Sequence, residues 1–426
     1  MTATSTPLCP ECSAQLPDDP RFVVWCRACD WNVEPRPSRP EPVGRLQRRR
    51  AALATSLGDA LFEQTRRATV DAAALRPRLG LARAAAVALA VPVHGLTVAV
   101  AGAAVLAAVA VDRRPLGLAV AAFLLLLAWF VRPRLGRLRT GPDTVAHSEA
   151  PALFAVLDAI AGVVGGRPVE VVQVDGQWNA SRAALGLRRR ELVTLGAPLW
   201  AALPAQSRVA LLGHELAHGA NGDLHDLAVV GGALTTLEAW AELLLPQRRT
   251  TTDRWHADWS EQTFWRLGGW PLYAAVRAYA GMLELVLLRS SQRAEYYADV
   301  LAVQVAGSAA AADLLEVLEL DRTTLDALDR AVRRGDRHGL WALARRHLRE
   351  LPDSERERLR RVCERAGHAV DATHPPTGLR RRLALALALP PTVTVPDEAW
   401  AAADAELAAA MERAERAYAE RVSLVR

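Results

Sequence analysis

The chain has 426 residues, 51% of them hydrophobic, which allows several domains and membrane spans as well as a core. Its net charge of +5 and pI near 9.2 are modest for this length. The clusters Arg48-Arg49-Arg50 and Arg188-Arg189-Arg190 lack the interleaved aromatics of a nucleic-acid surface, so no nucleic-acid partner is expected.

At the N-terminus, Cys9-x-x-Cys12 and Cys26-x-x-Cys29 form two knuckles thirteen residues apart. Four thiolates at this spacing suit a closed tetrahedral zinc site, a zinc ribbon over residues 1–34, with disulfides or a redox pair as the alternatives. No apolar run of a secretory signal precedes them, so the thiols are expected in a reducing compartment. A module this short needs such a staple in place of a core. The partner of the ribbon has no signature in the sequence, and Cys363 reads as an inert thiol.

Residues 35–80 join a Pro-rich basic linker to a helical stretch of mixed polarity. Residues 84–111 and 116–131 then lack any charge, which predicts a transmembrane helical hairpin over residues 81–135, with a buried soluble hairpin as the alternative. Pro92 and His94 lie within the first run and are expected to kink it. Arg66, Arg67, Arg76, Arg78 and Arg83 precede the pair, and Arg132, Arg134, Arg137 and Arg139 follow it. By the positive-inside rule both ends face the cytoplasm, giving a multi-pass protein of the cell membrane with its ribbon and main domain inside.

A second domain begins near Thr144. Residues 151–164 have helical apolar spacing, residues 169–174 read as a β-branched strand, and residues 179–181 and 192–195 suggest two more strands. Pro204 opens a helix that carries His214-Glu215-Leu216-Ala217-His218, and Gly219 and Gly222 suggest its end. Histidines four apart lie on one helical face, where both imidazoles can reach one zinc ion. Glu215 leaves that face by about 100° and is placed to act as a general base.

A catalytic zinc also needs a third protein ligand. Glu295 and Asp299 are again one turn apart, so one can ligate while the other hydrogen-bonds a ligand imidazole. Between the two motifs, residues 224–245 and 267–288 are apolar but interrupted by Asp226, Glu238, Glu242 and Glu284. Packed helices at the membrane face are therefore expected there, ahead of full spans. Trp255, Trp259, Trp265 and Trp270 suit an interfacial belt, a lid or plain core aromatics. Residues 310–370 read as helices with mostly solvated faces, with His338, His347 and His368 at the surface, and an amphipathic helix follows Pro396.

With Thr373-His374-Pro375 and Arg380 these motifs fall in a familiar order. His-Glu-x-x-His with Asp223 five residues later, then Glu-x-x-x-Asp, then a late His-Pro resembles the HtpX-type membrane-bound zinc endopeptidases. These are relatives of the CAAX prenyl endopeptidases in the gluzincin group, and the likeness covers roughly residues 140–390. The resemblance implies an α+β, mostly helical, zincin-like peptidase domain with a small sheet, added to the hairpin, the ribbon and a terminal helix over residues 391–426. It implies His214, His218 and Glu295 as zinc ligands, Glu215 as the base, and Asp223 and Asp299 as their supports. It puts His374 and Arg380 near the active centre, steadying an oxyanion or a carboxylate. Asn179 and Ala180 match the family's substrate-binding strand, an ordinary turn asparagine being the alternative.

The expected activity is zinc-dependent hydrolysis of peptide bonds in membrane or membrane-proximal proteins, with one catalytic and one structural zinc. Two other classes stand beside it: a silent scaffold on a peptidase fold, which the intact Glu215 argues against, and a nucleic-acid binder led by the ribbon. A prenyl-dependent CAAX protease is the runner-up among enzymes.

Overall fold

The computed structural model describes residues 7–17, 19, 21–35, 45–68, 81–111, 113–133, 138, 140–186, 188–220, 228–244, 269–365 and 375–424. The protein is mostly helical around one four-stranded sheet. Its two N-terminal knuckles fold alike. The Cys9 N–H donates to Ala14 O at 2.8 Å and the Ser13 N–H to Cys9 O at 3.0 Å; the Cys26 N–H donates to Trp31 O at 3.0 Å and the Asp30 N–H to Cys26 O at 2.9 Å.

Helix α1 (Arg45–Ala68) leads to α2 (Leu81–Ala110) and α3 (Arg114–Val131), which pack together as the expected hairpin. Both α2 and α3 are long and apolar enough to cross a membrane. The 18 residues of α3 rise about 27 Å, close to the thickness of a hydrocarbon core. Val98, Val109, Phe123 and Trp129 are exposed along the pair. The helix continues on both sides of Pro92, and His94 Nε2 lies 2.7 Å from Val229 O.

The second domain opens with β1 (Thr144–Ala146) and α4 (Pro151–Val164), followed by β2 (Val171–Asp175), β3 (Ala180–Leu185) and β4 (Arg190–Gly196). Strand order is β1-β2-β4-β3, so β3 lies at the edge. It pairs antiparallel to β4 with Ala180 opposite Leu195, whereas β2 and β4 are parallel. A side chain is excluded at Gly196, where a Cβ would lie 2.0 Å from Gln177 O and 2.4 Å from Asn179 O. That close approach lets the Gly196 N–H reach Asn179 O at 2.9 Å and fixes where β3 begins.

The remaining elements are α5 (Ala197–Ala202), α6 (Ala205–Ala220), α7 (Ala228–Leu244), α8 (Trp270–Ala306) and α9 (Ser308–Leu318). Then come α10 (Asp321–Arg334), α11 (Leu340–Glu350), α12 (Asp353–Arg365), α13 (Thr377–Leu387) and α14 (Asp397–Leu424). One large core gathers the sheet, α4, α5, α6, the second half of α8 and the C-terminal helices. A smaller one, with Ala90, Val230, Ala233, Leu283 and Leu287, ties α7 and the first half of α8 to α2. The Tyr279 hydroxyl adds a 2.6 Å bond to Leu89 O. The two interrupted apolar stretches thus pack on a candidate span. Trp270 starts α8 exposed, and the other three tryptophans of that stretch lie outside the described residues.

The helices between residues 310 and 365 are less solvated than expected. Leu328 and Ala331 of α10 and Leu340, Trp341 and Ala344 of α11 are buried. His347 is half-buried with its Nε2 3.3 Å from Thr323 Oγ1, His338 is exposed, and His368 lies outside the described residues. Glu319, just past α9, is buried, and neither carboxylate oxygen has a hydrogen-bond partner among the described residues. Burial pushes its carboxyl up from 4.5 to about 8. The folded state therefore holds this proton more tightly than the unfolded chain, and stability falls as pH rises between those two values. Glu319→Gln should raise the unfolding temperature at pH 8 by a few degrees and leave it unchanged near pH 4, measured by thermal scans at both.

Candidate metal centre and active site

Helix α6 starts after Pro204, whose carbonyl takes the Arg208 N–H at 3.0 Å, and is buried from Ser207 through Ala217. It crosses the second half of α8 closely: a Cβ on Gly213 would stand 3.4 Å from the Ala302 Cα. Small residues at the crossing, Gly213 and Ala302, let the helix with the histidines approach the helix with the carboxylates.

There the spacing read from sequence becomes a triangle. His214 Nε2 and His218 Nε2 are 3.2 Å apart, Glu295 Oε2 is 3.4 Å from His214 Nε2, and Glu295 Oε1 is 3.4 Å from His218 Nε2. Ligand atoms on a tetrahedral zinc with bonds of about 2.05 Å stand about 3.3 Å apart, so these three side chains could hold one ion.

The charge balance fits too. The carboxylates of Glu215, Glu295 and Asp299 and the guanidinium of Arg380 are all buried, which leaves two negative charges for a divalent cation to neutralise. Burial by itself would push the His214 imidazole down, but Asp299 and Glu295 override it and raise it to about 10.

Asp299 stands behind the histidine, its Oδ1 3.1 Å from His214 Nδ1. This contact leaves Nε2 turned toward His218 and Glu295. Arg380, projecting from α13, grips Asp299 through both oxygens, Nε to Oδ2 at 2.8 Å and Nη2 to Oδ1 at 2.7 Å. Its Nη2 also lies 3.8 Å from Glu295 Oε2. Burial would raise the Asp299 carboxyl, yet the guanidinium beside it holds it below the usual range.

Glu215 is buried beside this group and makes no hydrogen bond or ion pair among the described residues. Its carboxylate is not committed to a structural partner. Asp223 and His374 lie outside the described residues. Asn179 is exposed ahead of β3, and Ala180 is buried at its first position; neither hydrogen-bonds a member of the triangle. The edge strand nonetheless runs beside α6, since a Cβ on Gly219 would lie 3.2 Å from Arg182 Nε. Arg182 is itself buried in a pair with Glu191 across β3 and β4, its Nε 2.7 Å from Oε2. Neither residue carries a sequence signature, because strand register alone brings them together.

In the ribbon all four cysteines are free, with Cys9 and Cys29 Sγ atoms 3.6 Å apart and those of Cys12 and Cys26 3.4 Å apart. A disulfide would need about 2.05 Å, whereas sulfurs sharing a zinc at about 2.3 Å stand about 3.8 Å apart. The four sulfurs could hold a metal ion.

No curated protein and no solved structure matches the chain. A family model does, over residues 156–387, more than half of the chain and all of the stretch that carries His214, Glu215, His218, Glu295, Asp299 and Arg380. By that match the chain belongs to peptidase family M48, whose members are zinc-dependent metallopeptidases.

Proposed function

We propose that the chain is a membrane-anchored zinc endopeptidase of the HtpX type, within the gluzincin group, that cleaves membrane or membrane-proximal proteins at the cytoplasmic face. The observation that carries this reading is the triangle of His214, His218 and Glu295 with its donor atoms at 3.2–3.4 Å. Zinc held there supplies a Lewis acid for the scissile carbonyl and for water. Glu215 takes the proton of the attacking water and later hands it to the leaving amine, a role supported by its burial beside the triangle with no hydrogen bond among the described residues. Asp299, gripped by Arg380, keeps His214 oriented. Asp223 supports the same shell, and His374, six residues before Arg380, is the donor we assign to the oxyanion.

Asn179 and Ala180 open the edge strand, which we assign to main-chain pairing with an extended substrate. Cys9, Cys12, Cys26 and Cys29 hold a structural zinc. In this reading the domains are the ribbon (1–34), linker (35–80), hairpin (81–135), peptidase (140–390) and terminal helix (391–426). The arginines on both outer flanks of the hairpin support a cytoplasmic placement of the ribbon and peptidase.

The test uses the detergent-solubilised full chain and an unstructured peptide blocked at both ends. We expect internal cleavage, its loss with 1,10-phenanthroline and its return with added zinc. Trimming that needs a free terminus, or cleavage that ignores the chelator, would count against the reading.

A further inference from the structure

The ribbon is not a loose appendage. Trp25, in a module whose own core among the described residues is Cys9, Leu16 and Cys26 with partly buried neighbours, has no exposed surface. Its indole N–H donates to Ser354 O at 3.2 Å, at the start of α12. Along α12, buried Arg358 donates to Val33 O at 2.8 Å while held by Glu355, and Arg361 donates to Arg27 O at 2.7 Å with its guanidinium over the Trp25 ring. Asp30, in the second knuckle, accepts from both Arg361 and Arg365, and Arg27 pairs with Glu357 at 3.1 Å. The contacts cover the arginine face of α12 over three turns.

Helix α12 in turn touches α13 just before Arg380 and is bridged to it just after Arg380 by a residue of α9. A Cβ on Gly378 would lie 3.3 Å from Glu364 Cγ. Glu316 of α9 is shared between Arg356 of α12 at 3.4 Å and Arg381 of α13 at 3.5 Å. Arg380 sits between these two contacts and grips Asp299, which holds His214. An unbroken series of contacts thus runs from the thiols through α12 and α13 to a histidine of the triangle.

We propose that the ribbon is an internal brace for the peptidase: its bound metal keeps Asp30 and Trp25 on α12, and so sets Arg380 and the His214 imidazole, with Arg361 as the principal positioning residue. The ribbon thereby tunes turnover without touching substrate, a role that rests on the endopeptidase reading above. Folding of so small a module depends on its metal, so the brace is engaged only when the four thiolates are occupied.

The test compares the full chain with Cys12→Ser, Arg361→Ala, Arg361→Lys and the Cys12→Ser/Arg361→Ala double variant. Zinc per chain, kcat and KM on the blocked peptide, and hydrogen exchange of α13 are measured for each. Cys12→Ser should lose one zinc equivalent and keep the other. Both single variants should lower kcat about tenfold at unchanged KM and loosen the exchange protection of α13, with Arg361→Lys, which keeps the charge beside Asp30 but not the fork or the stacking, restoring part of the loss. The double variant should be no slower than the slower single one, because both changes release the same contact. Should Cys12→Ser fail to fold, Arg361→Ala with its Lys rescue decides alone. Wild-type kcat in Arg361→Ala, multiplied losses in the double variant, or a rise in KM in place of the fall in kcat would overturn the brace. A wild-type chain that cleaves nothing would instead overturn the endopeptidase reading.

Discussion

Glu215→Gln will lower hydrolysis of the blocked peptide by about 10²–10⁴-fold while zinc content stays that of the parent chain. Glutamine has nearly the shape of glutamate and cannot take a proton from water at neutral pH. Glu215 lies outside the triangle of donor atoms and makes no hydrogen bond or ion pair among the described residues, so no short contact is lost with its charge. Removing a buried, uncommitted carboxylate should leave the unfolding temperature the same or slightly higher. Activity within tenfold of the parent would show that another group moves the proton.

Arg380→Ala should have the largest effect on stability, about 3–5 kcal/mol. The Asp299 carboxylate is buried and receives both arms of the guanidinium, at 2.7 and 2.8 Å. Without them its charge is left buried with only the His214 imidazole, at 3.1 Å, beside it. Lysine cannot reproduce the two-pronged grip and should recover only part of the loss. Adding Asp299→Asn to Arg380→Ala should recover stability because it removes the stranded charge, so the two changes will be strongly non-additive. Thermal unfolding of the parent, Arg380→Ala, Arg380→Lys, Asp299→Asn and the double variant in one detergent checks this. If Arg380→Ala and Asp299→Asn both melt with the parent, the pair does not hold this part of the fold.

Much of the site was legible because its chemistry is written in local spacing. His214 and His218 are one turn apart, as are Glu295 and Asp299, so each pair could be put on one face before the helices were known to meet. The hairpin was legible for a similar reason, as length and apolarity decide it. Spacing alone left the roles within the second pair open and the family resemblance gave Glu295 as ligand; the crossing at Gly213 and Ala302 puts Glu295 at the triangle and Asp299 behind the ring.

Long-range pairings were harder. Arg358, Arg361 and Arg365 sit on α12 at the same intervals whether they face water or the ribbon, and they read as solvated. Arg182 and Glu191 meet only through the register of β3 on β4. Strand β1, three residues long, has too few positions to show alternation.

The central claim is that His214, His218 and Glu295 share one ion, separate from any held by the four cysteines. Counting zinc per purified chain tests it most directly. The parent should hold two equivalents; Glu295→Ala and His218→Ala should each hold one, and a chain with the four cysteines changed to serine should also hold one. If Glu295→Ala and His218→Ala both kept two equivalents, the triangle would not be a metal centre and the peptidase mechanism built on it would fall.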